Sequence, residues 1–585
     1  MAEEHLSTSS LDQVATSEAP GSENGKAAED KTTPAKERFR GVRRTILFIA
    51  LLVSLLFSSL DTSIVSTALI TISHELDDFV NAPWIVLAYL LTYMGFAVCI
   101  SKLSDIYGRR NTLMLSWIIF MSFSLGCALS KNMTTLIICR AFQGIGASGM
   151  YSLTQIALME VGPVDKPAMI GAAIGATLAV AFVLGPLLGG VITQFSNWKW
   201  IFNINLPCGL VTLVVIANFW PPEHAESLFS WAGFSRIDFL GSASLFCSSS
   251  LLIFAVQQAG SETYAWDSDA VIVSLTLSGV CCVCFVAWET FLGTKKIGHI
   301  EPIFPMRLIG LRVYVAGLFL TLLTGFPYIA LSIVIPERFQ IAGGDNVLMA
   351  GVHVLPLLVG CAFGSFVGGA VSSKRNNTGF TLLGSSCLQL LGVGLMTTIT
   401  TSDSRQAAQY GYQAIFGLGV GMSFSAATIM TSVLAADPSV RASAQGAIAQ
   451  ARVFGGCVGL SICTVMFNAH VNHDLSGGGV LTWAQVKDLL RSPLSSLRLP
   501  EDLRRRVTGV YVAAFEQEVD VMMAVCAAMV IVSLFTLERH PTPLENRVAA
   551  VRLSPSTKDQ NSSSPRSSDS RTEMYNWLNR RAQTC

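Results

Sequence analysis

Two charged residues lie where an apolar chain has least use for them. Asp61 falls inside the run Ile46 to Ile72, ILFIALLVSLLFSSLDTSIVSTALITI, and Arg140 falls inside Leu136-Ile-Ile-Cys-Arg140-Ala-Phe. About 20 apolar residues cross a bilayer, and a carboxylate at that depth costs roughly 2.5–3.5 kcal/mol on insertion scales. A plain anchor has no need of it. A carboxylate so placed can carry a proton, bind a substrate or hold a partner, and residue type alone leaves all three open. Arg452, in Gln450-Ala-Arg452-Val-Phe-Gly455-Gly456, is another cation in an apolar stretch, either a packing cation or a cavity charge. His353 could titrate or simply pack. Tyr89, Tyr93, Gln143 and Phe326 could line a cavity for amphipathic molecules or serve as ordinary packing. Glu289 lies near a span end and is expected to reach for the interface.

A different constellation sits between two apolar runs, Ser101-Lys-Leu-Ser-Asp105-Ile-Tyr-Gly108-Arg109-Arg110. A tight turn there needs Gly108, and Asp105 can cap a helix end and pair with Arg109. Such a cluster can latch two helices in one conformation and release them in another. Basic residues gather in any loop on the cytoplasmic side; the full D-x-x-G-R-R spacing is more specific.

The elements that must position these residues are helical. The chain has 585 residues, 51% hydrophobic and only 13% charged, against about 25% charged in soluble domains. Apolar runs of span length recur throughout, without the ~10-residue alternation of a membrane β-barrel. The expected fold class is an all-α polytopic membrane protein with fourteen spans. They fall at 46–70, 82–101, 112–130, 134–158, 168–193, 200–220, 237–258, 270–292, 313–335, 348–371, 379–400, 408–431, 443–468 and 517–537. Residues 1–44 and 540–585 read as polar disordered tails, and the first span as the insertion signal.

Charge orients the spans. One set of short loops carries Lys102, Arg109, Arg110, Lys166, Arg236, Lys295, Lys296, Arg307, Arg312, Lys374, Arg375 and Arg441, the other only Lys131, Lys199, Arg338 and Arg405. The positive-inside rule then makes both tails cytoplasmic and leaves 469–516 as a long extracellular loop. On that topology Asp61 lies about nine residues from the outer end of its span and Arg140 about six, a depth difference of only ~5 Å. Buried charges in a membrane pair by default. Burial penalises a charged carboxylate and a nearby guanidinium favours it; a site between those effects can load a proton and lose it again, while substrate binding and a structural pairing stay open.

Several functions are disfavoured. The net charge is zero, and no nucleic-acid partner is expected. The 14 cysteines lie almost all in apolar runs, where they act as small hydrophobes; the C-x-x-C at Cys281 to Cys284 has no nearby His or acid. No G-x-x-x-x-G-K-[ST] and no H-E-x-x-H is present, so neither ATP hydrolysis nor a metal site is expected. No cofactor is called for beyond a proton gradient, and no nucleophile–base pair of an enzyme is visible.

The loop Asp105-Ile-Tyr-Gly108-Arg109-Arg110 resembles the signature G-x-x-x-D-x-x-G-R-[KR] of the major facilitator superfamily, with Ser101 in place of the first Gly. Arg140-Ala-Phe-Gln143-Gly144-Ile-Gly146 is similar to that family's R-x-x-Q-G-x-G element. Gly185-Pro186-Leu-Leu-Gly189-Gly190 resembles its antiporter-associated G-P-x-x-G-G element, with Ala181 where a Gly is usual four residues earlier. Leu60-Asp61-Thr-Ser-Ile-Val65 resembles L-D-x-T-I-V, Asn197 to Pro207 resembles W-R-W-I-F-x-I-N-L-P, and Arg452 falls in an R-x-x-G-G-like element. The resemblance covers about residues 45–540 and points to fourteen-span drug:proton antiporters, especially fungal toxin-efflux pumps. It implies an N-terminal six-helix bundle (45–220), two inserted helices (237–292) and a C-terminal six-helix bundle (313–537). It also implies proton coupling or substrate binding at Asp61, Arg140, Gln143 and Arg452, and gating by Asp105, Gly108, Arg109 and Arg110. Residues 185–190 would form the antiporter helix. The expectation is a monomeric plasma-membrane exporter of small amphipathic molecules, a toxin, secondary metabolite or drug, working by alternating access. The alternatives are a siderophore or basic amino-acid carrier of the same fold, at the vacuole or in uptake, and a non-transporting membrane sensor.

Overall fold

The computed structural model describes residues 41–162, 167–220, 238–261, 263–294, 303–304, 306–398, 407–435, 438–477, 489, 495 and 499–538. Residues 1–40 of the tail read as 1–44, and the tail 540–585, lie outside the described residues; Val42 to Arg44 are already helical, so the first helix starts earlier than expected. Fourteen long helices account for nearly all the rest. In chain order these are α1 (Val42–Glu75), α2 (Pro83–Tyr107), α3 (Arg109–Leu129), α4 (Met133–Val161) and α5 (Pro167–Phe195). Next comes α6 (Lys199–Phe219), in two pieces that meet at Ile204. The remainder are α7 (Phe239–Gly260), α8 (Asp269–Thr294), α9 (Arg312–Ile341), α10 (Val347–Arg375), α11 (Thr378–Met396), α12 (Ala408–Leu434), α13 (Pro438–Gly477) and α14 (Glu501–Leu534).

The helix ends follow local chemistry. The Asn132, Asp238 and Asn346 side chains accept from the backbone N–H three residues on, the usual N-cap bond. Pro83 starts α2, where its missing N–H costs nothing. Gly108 joins α2 to α3 at φ +88°, a conformation that suits Gly and strains other residues.

Thirteen of the fourteen are apolar enough to cross a membrane by composition. The exception is α4, diluted by Arg140, Gln143 and its glycines. It is still 29 residues long, about 43 Å at 1.5 Å per residue, and it packs among α1, α2 and α3. Its polar residues Arg140 and Gln143 face those helices, while Ile138 and Phe142 stay exposed on the opposite face.

The packing repeats. In the first bundle α1 packs on α5 and α6, and α4 on α1, α2 and α3; in the second, α9 packs on α13 and α14, and α12 on α9, α10 and α11. The echo reaches single residues. Arg43 at the head of α1 donates to the Phe219 carbonyl at the tail of α6 (2.9 Å), and Arg312 at the head of α9 donates to the Leu537 carbonyl after α14 (2.9 Å). Cations there satisfy C-terminal carbonyls that have no partner within their own helix. The inserted pair α7 and α8 pack on each other, and α7 also touches α2 and α13.

Between the bundles, α5 packs on α10, α2 on α13 and α1 on α9. The contacts are close at the end bearing the α1–α2 and α9–α10 turns. Gln340 donates to the Thr67 carbonyl (3.1 Å), and the Phe79 and Phe467 rings lie 6.3 Å apart. A Cβ on Gly190 would fall 2.7 Å from the Leu348 Cα. Toward the opposite end the contacts among the described residues include Gln450 on the Met94 carbonyl (3.1 Å) and Gly446 beside Val98.

The structure corrects the last third of the chain. The expected extracellular loop 469–516 is largely helical at its edges: α13 runs on to Gly477 and α14 begins at Glu501. Hydropathy marks where a helix leaves lipid, not where it ends, and the charged first turns of α14 (Glu501, Asp502, Arg504 to Arg506) continue the backbone bonding in water. Glu289 is also corrected. It is fully buried rather than reaching outward, and its carboxylate accepts from the Ile303 N–H (3.2 Å).

Candidate functional site

Asp61 and Arg140 meet. Arg140 Nη1 donates to Asp61 Oδ2 at 2.5 Å, and both side chains are sealed, 0% and 1% exposed. Four helices build the surroundings. From α4, Gln143 Nε2 donates to Asp61 Oδ1 (3.0 Å) while its Oε1 accepts from Arg140 Nη1 (2.8 Å). From α6, Asn205 Nδ2 donates to Asp61 Oδ1 (3.2 Å). From α3, Ser124 Oγ accepts from Gln143 (2.7 Å) and Asn205 (3.1 Å). Arg140 Nε donates to the Ile85 carbonyl of α2 (3.1 Å), and its guanidinium lies 4.1 Å from the Tyr89 ring centroid and 5.6 Å from that of Phe202. Both carboxylate oxygens therefore accept from protein donors. Oδ1 accepts two of these bonds and Oδ2 one, so neutralising the carboxylate would weaken the ties that hold α1 to α4 and α6.

Gln143 belongs to this network and is fully buried, not a cavity wall. Asn205 and Ser124 are the residues that sequence reasoning missed. Asn205 stands inside the quoted stretch Asn197 to Pro207 and its type was a usable signal; a lone Ser in α3 was not.

A second cluster lies apart, between the bundles. Tyr89 stacks on Tyr93 (centroids 6.0 Å), and Tyr93 meets Tyr151 (5.7 Å). On the other side Phe182, Tyr328 and Phe424 form a run, at 6.4 and 5.3 Å. Arg452 lies with its guanidinium 3.7 Å from the Phe424 ring centroid. It does not join Asp61. Tyr89 touches both clusters, through Arg140 on one face and Tyr93 on the other.

The antiporter-like element joins the network to the bundle interface. A Cβ on Gly185 would fall 1.9 Å from Ser63 Oγ, and one on Gly189 2.4 Å from the Ile64 carbonyl. α5 thus lies against α1 within one turn of Asp61. Ser63 Oγ also reaches the Ala181 carbonyl (3.4 Å). Next in line, Gly190 abuts Leu348 of α10, and a Cβ on Gly351 would meet the Pro186 carbonyl at 2.5 Å.

The loop motif lies at the far end. Arg109 Nη1 donates to Ser104 Oγ (2.6 Å), and its Nε lies 3.2 Å from Glu160 Oε1 on α4. Arg110 donates to the Ala217 carbonyl of α6 (2.5 Å). The Asp105 side chain, like those of Lys374 and Arg375 in the corresponding loop of the second bundle, lies outside the described residues. His353 sits far from the network, 3.2 Å from Asp345 and between the Phe339 and Tyr410 rings. A small crevice of about 30 Å³ at the closed end is lined by Glu337 and Glu518, among others; both acids lie at span edges, where an acid is unremarkable in sequence.

The Major Facilitator Superfamily family model matches residues 51–460. The MFS-type transporter FPY5 of Fusarium mangiferae is 37% identical over 524 residues, covering 88% of this chain and 87% of its own. The efflux pump FUS6 of Gibberella fujikuroi is 29% identical, covering 88% and 92%. Among solved structures, a bacterial homologue of the human lysosomal transporter Spinster superposes with a TM-score of 0.55 at 14% identity, over 85% of this chain and 97% of that one.

Proposed function

We propose that this chain, which belongs to the major facilitator superfamily, exports small amphipathic organic molecules across the plasma membrane in exchange for protons. It is a multi-pass membrane transporter, not an enzyme; the cargo class, the coupling ion and the direction are our reading. The observation that carries it is the sealed Asp61–Arg140–Gln143–Asn205 network. Arg140, Gln143 and Asn205 hold the Asp61 carboxylate where α1, α4 and α6 meet, so a proton that cancels its charge weakens the contacts between those helices.

Alternating access follows from the two bundles. The described arrangement is closed at the end with the α1–α2 and α9–α10 turns, which the distribution of Lys and Arg makes the outer end. Protonation of Asp61 frees Arg140 and Gln143, and α5 relays the shift to α10 through Gly189 and Gly190. One proton moving inward down 100 mV supplies about 2.3 kcal/mol. Both tails are cytoplasmic on this reading. One chain holds both bundles, the network and the central cluster, so a monomer suffices. Cargo export matches the efflux pump named among its relatives, and a toxin or other secondary metabolite fits that pattern. A basic amino-acid carrier fits less well, because Arg452 places a positive charge between the bundles.

The test uses everted plasma-membrane vesicles with an acid lumen, reported by acridine orange quenching. Adding amphipathic compounds from a panel should release part of the gradient in wild-type vesicles and in no vesicles lacking the protein. A panel with no gradient release, or uptake that ignores the gradient, would overturn proton exchange.

A further inference from the structure

Arg452, unlike Arg140, has no anion beside it among the described residues. Arg140, the comparable cation of the first bundle, is held by a carboxylate, an amide oxygen, a backbone carbonyl and two aromatic faces. Arg452 has the Phe424 face, and its Nε is buried without a hydrogen-bond partner. No carboxylate among the described residues lies within ion-pair distance of it. The groups near enough to act on its charge are the hydroxyls of Tyr93, Tyr151 and Tyr328 and the Cys361 thiol, from both bundles. Arg452 is nonetheless not sealed as Arg140 is: part of its surface stays uncovered by protein.

Its position is fixed by its own backbone. A Cβ on Gly325 of α9 would fall 1.9 Å from the Arg452 carbonyl, and one on Gly455 would fall 1.9 Å from the Leu322 carbonyl. The two helices touch main chain to main chain at Arg452 itself and one turn further on, which gives the side chain a rigid base. An unpaired cation in the membrane interior is costly and by default marks a substrate path. A guanidinium offers a planar, two-pronged donor that fits a carboxylate or similar oxyanion. The tyrosine and phenylalanine rings around it offer flat faces to an aromatic or conjugated body.

We propose that Arg452 is the anion-binding residue of the cargo site, and that the cargo is an organic acid: a carboxylate, or a comparable oxyanion, carried on a flat apolar body that stacks among Tyr93, Tyr151, Tyr328 and Phe424. The inference rests on the reading of the chain as a transporter and narrows its substrate class. It separates two roles by bundle, with proton handling at Asp61 and cargo charge at Arg452, and Tyr89 and Tyr93 between them.

The test compares 2-naphthoate with its uncharged isostere 2-naphthamide. Binding is measured by calorimetry on purified full-length protein in nanodiscs, for wild type, Arg452→Gln and Arg452→Lys. The wild type should prefer naphthoate at least tenfold. Arg452→Gln should lose that preference through weaker naphthoate binding alone, with naphthamide unchanged; Arg452→Lys should keep part of it. A wild type without preference, or an Arg452→Gln protein that keeps the preference, overturns the proposal. Equal loss of both ligands in Arg452→Gln also overturns it, since a packing cation would behave that way. If the preference tracks Arg452 while no variant or wild type responds to a proton gradient, the anion site stands and the exchange reading falls.

Discussion

At the scale of residues, the account turns on how a carboxylate survives in a membrane. Asp61 is tolerated because Arg140, Gln143 and Asn205 together satisfy both of its oxygens. Breaking a buried pair from one side typically costs about 3–5 kcal/mol, because the other charge is stranded. Arg140→Gln should therefore lower the thermal unfolding temperature in detergent strongly. Adding Asp61→Asn to that variant should restore most of the loss, since no charge is then left unpaired. A double variant no more stable than the single one would mean that Arg140 matters for packing alone. Asp61 and Arg140 were legible in the sequence because a charge in an apolar run stands out and because counting residues along helices matches depths. Counting gives depth but not azimuth, so it could not tell that Arg452 faces a different space. Nor could it single out Ser124, whose hydroxyl looks like any other in an apolar helix.

At the scale of elements, the small residues of α5 let two interfaces come close at once. Gly185 and Gly189 face α1 beside Asp61, and Gly190 faces α10. A side chain at Gly189 would run into the Ile64 backbone carbonyl, 2.4 Å from its Cβ, which no rotamer change relieves. Gly189→Val should cost about 1–3 kcal/mol of stability, as overpacking typically does, and should slow transport further than that loss explains. Unfolding midpoints and transport rates per folded molecule, measured on the same preparation, check this; a destabilised protein with a normal rate per molecule would remove α5 from the coupling route. Fourteen long helices were readable from apolar runs, and the G-P-x-x-G-G spacing pointed to α5. The ends of α13 and the start of α14 were not, because those turns are polar and the membrane, not the helix, ends where the hydropathy falls. The two halves of α6, meeting at Ile204, were hidden in one apolar run for the same reason.

At the scale of the whole molecule, two bundles with matching contacts meet closely at one end. The Phe79 and Phe467 rings, 6.3 Å apart, lie across that closure. Phe79→Cys with Phe467→Cys, in a background whose reactive native cysteines are replaced, should be bridged by a short bifunctional thiol reagent. Bridging should stop transport, and a reductant should restore it. Undiminished transport in the bridged protein would mean that this end need not open. If the cargo is an acid, each cycle moves a proton inward and a negative charge outward. Two charges then cross the potential, about 4.6 kcal/mol per cycle at 100 mV, so the membrane potential should drive transport as well as the pH difference does.

The central claim is that Asp61 carries the proton, and one paired assay reaches it most directly. In everted vesicles, gradient-driven uptake of a compound that releases the wild-type pH gradient is compared with exchange of that compound, labelled against unlabelled, at equal pH on both sides. In Asp61→Asn, which cannot ionise and leaves Arg140 without its anion, gradient-driven uptake per folded molecule should fall to background while exchange per folded molecule continues. Gradient-driven uptake that persists in Asp61→Asn would contradict the account.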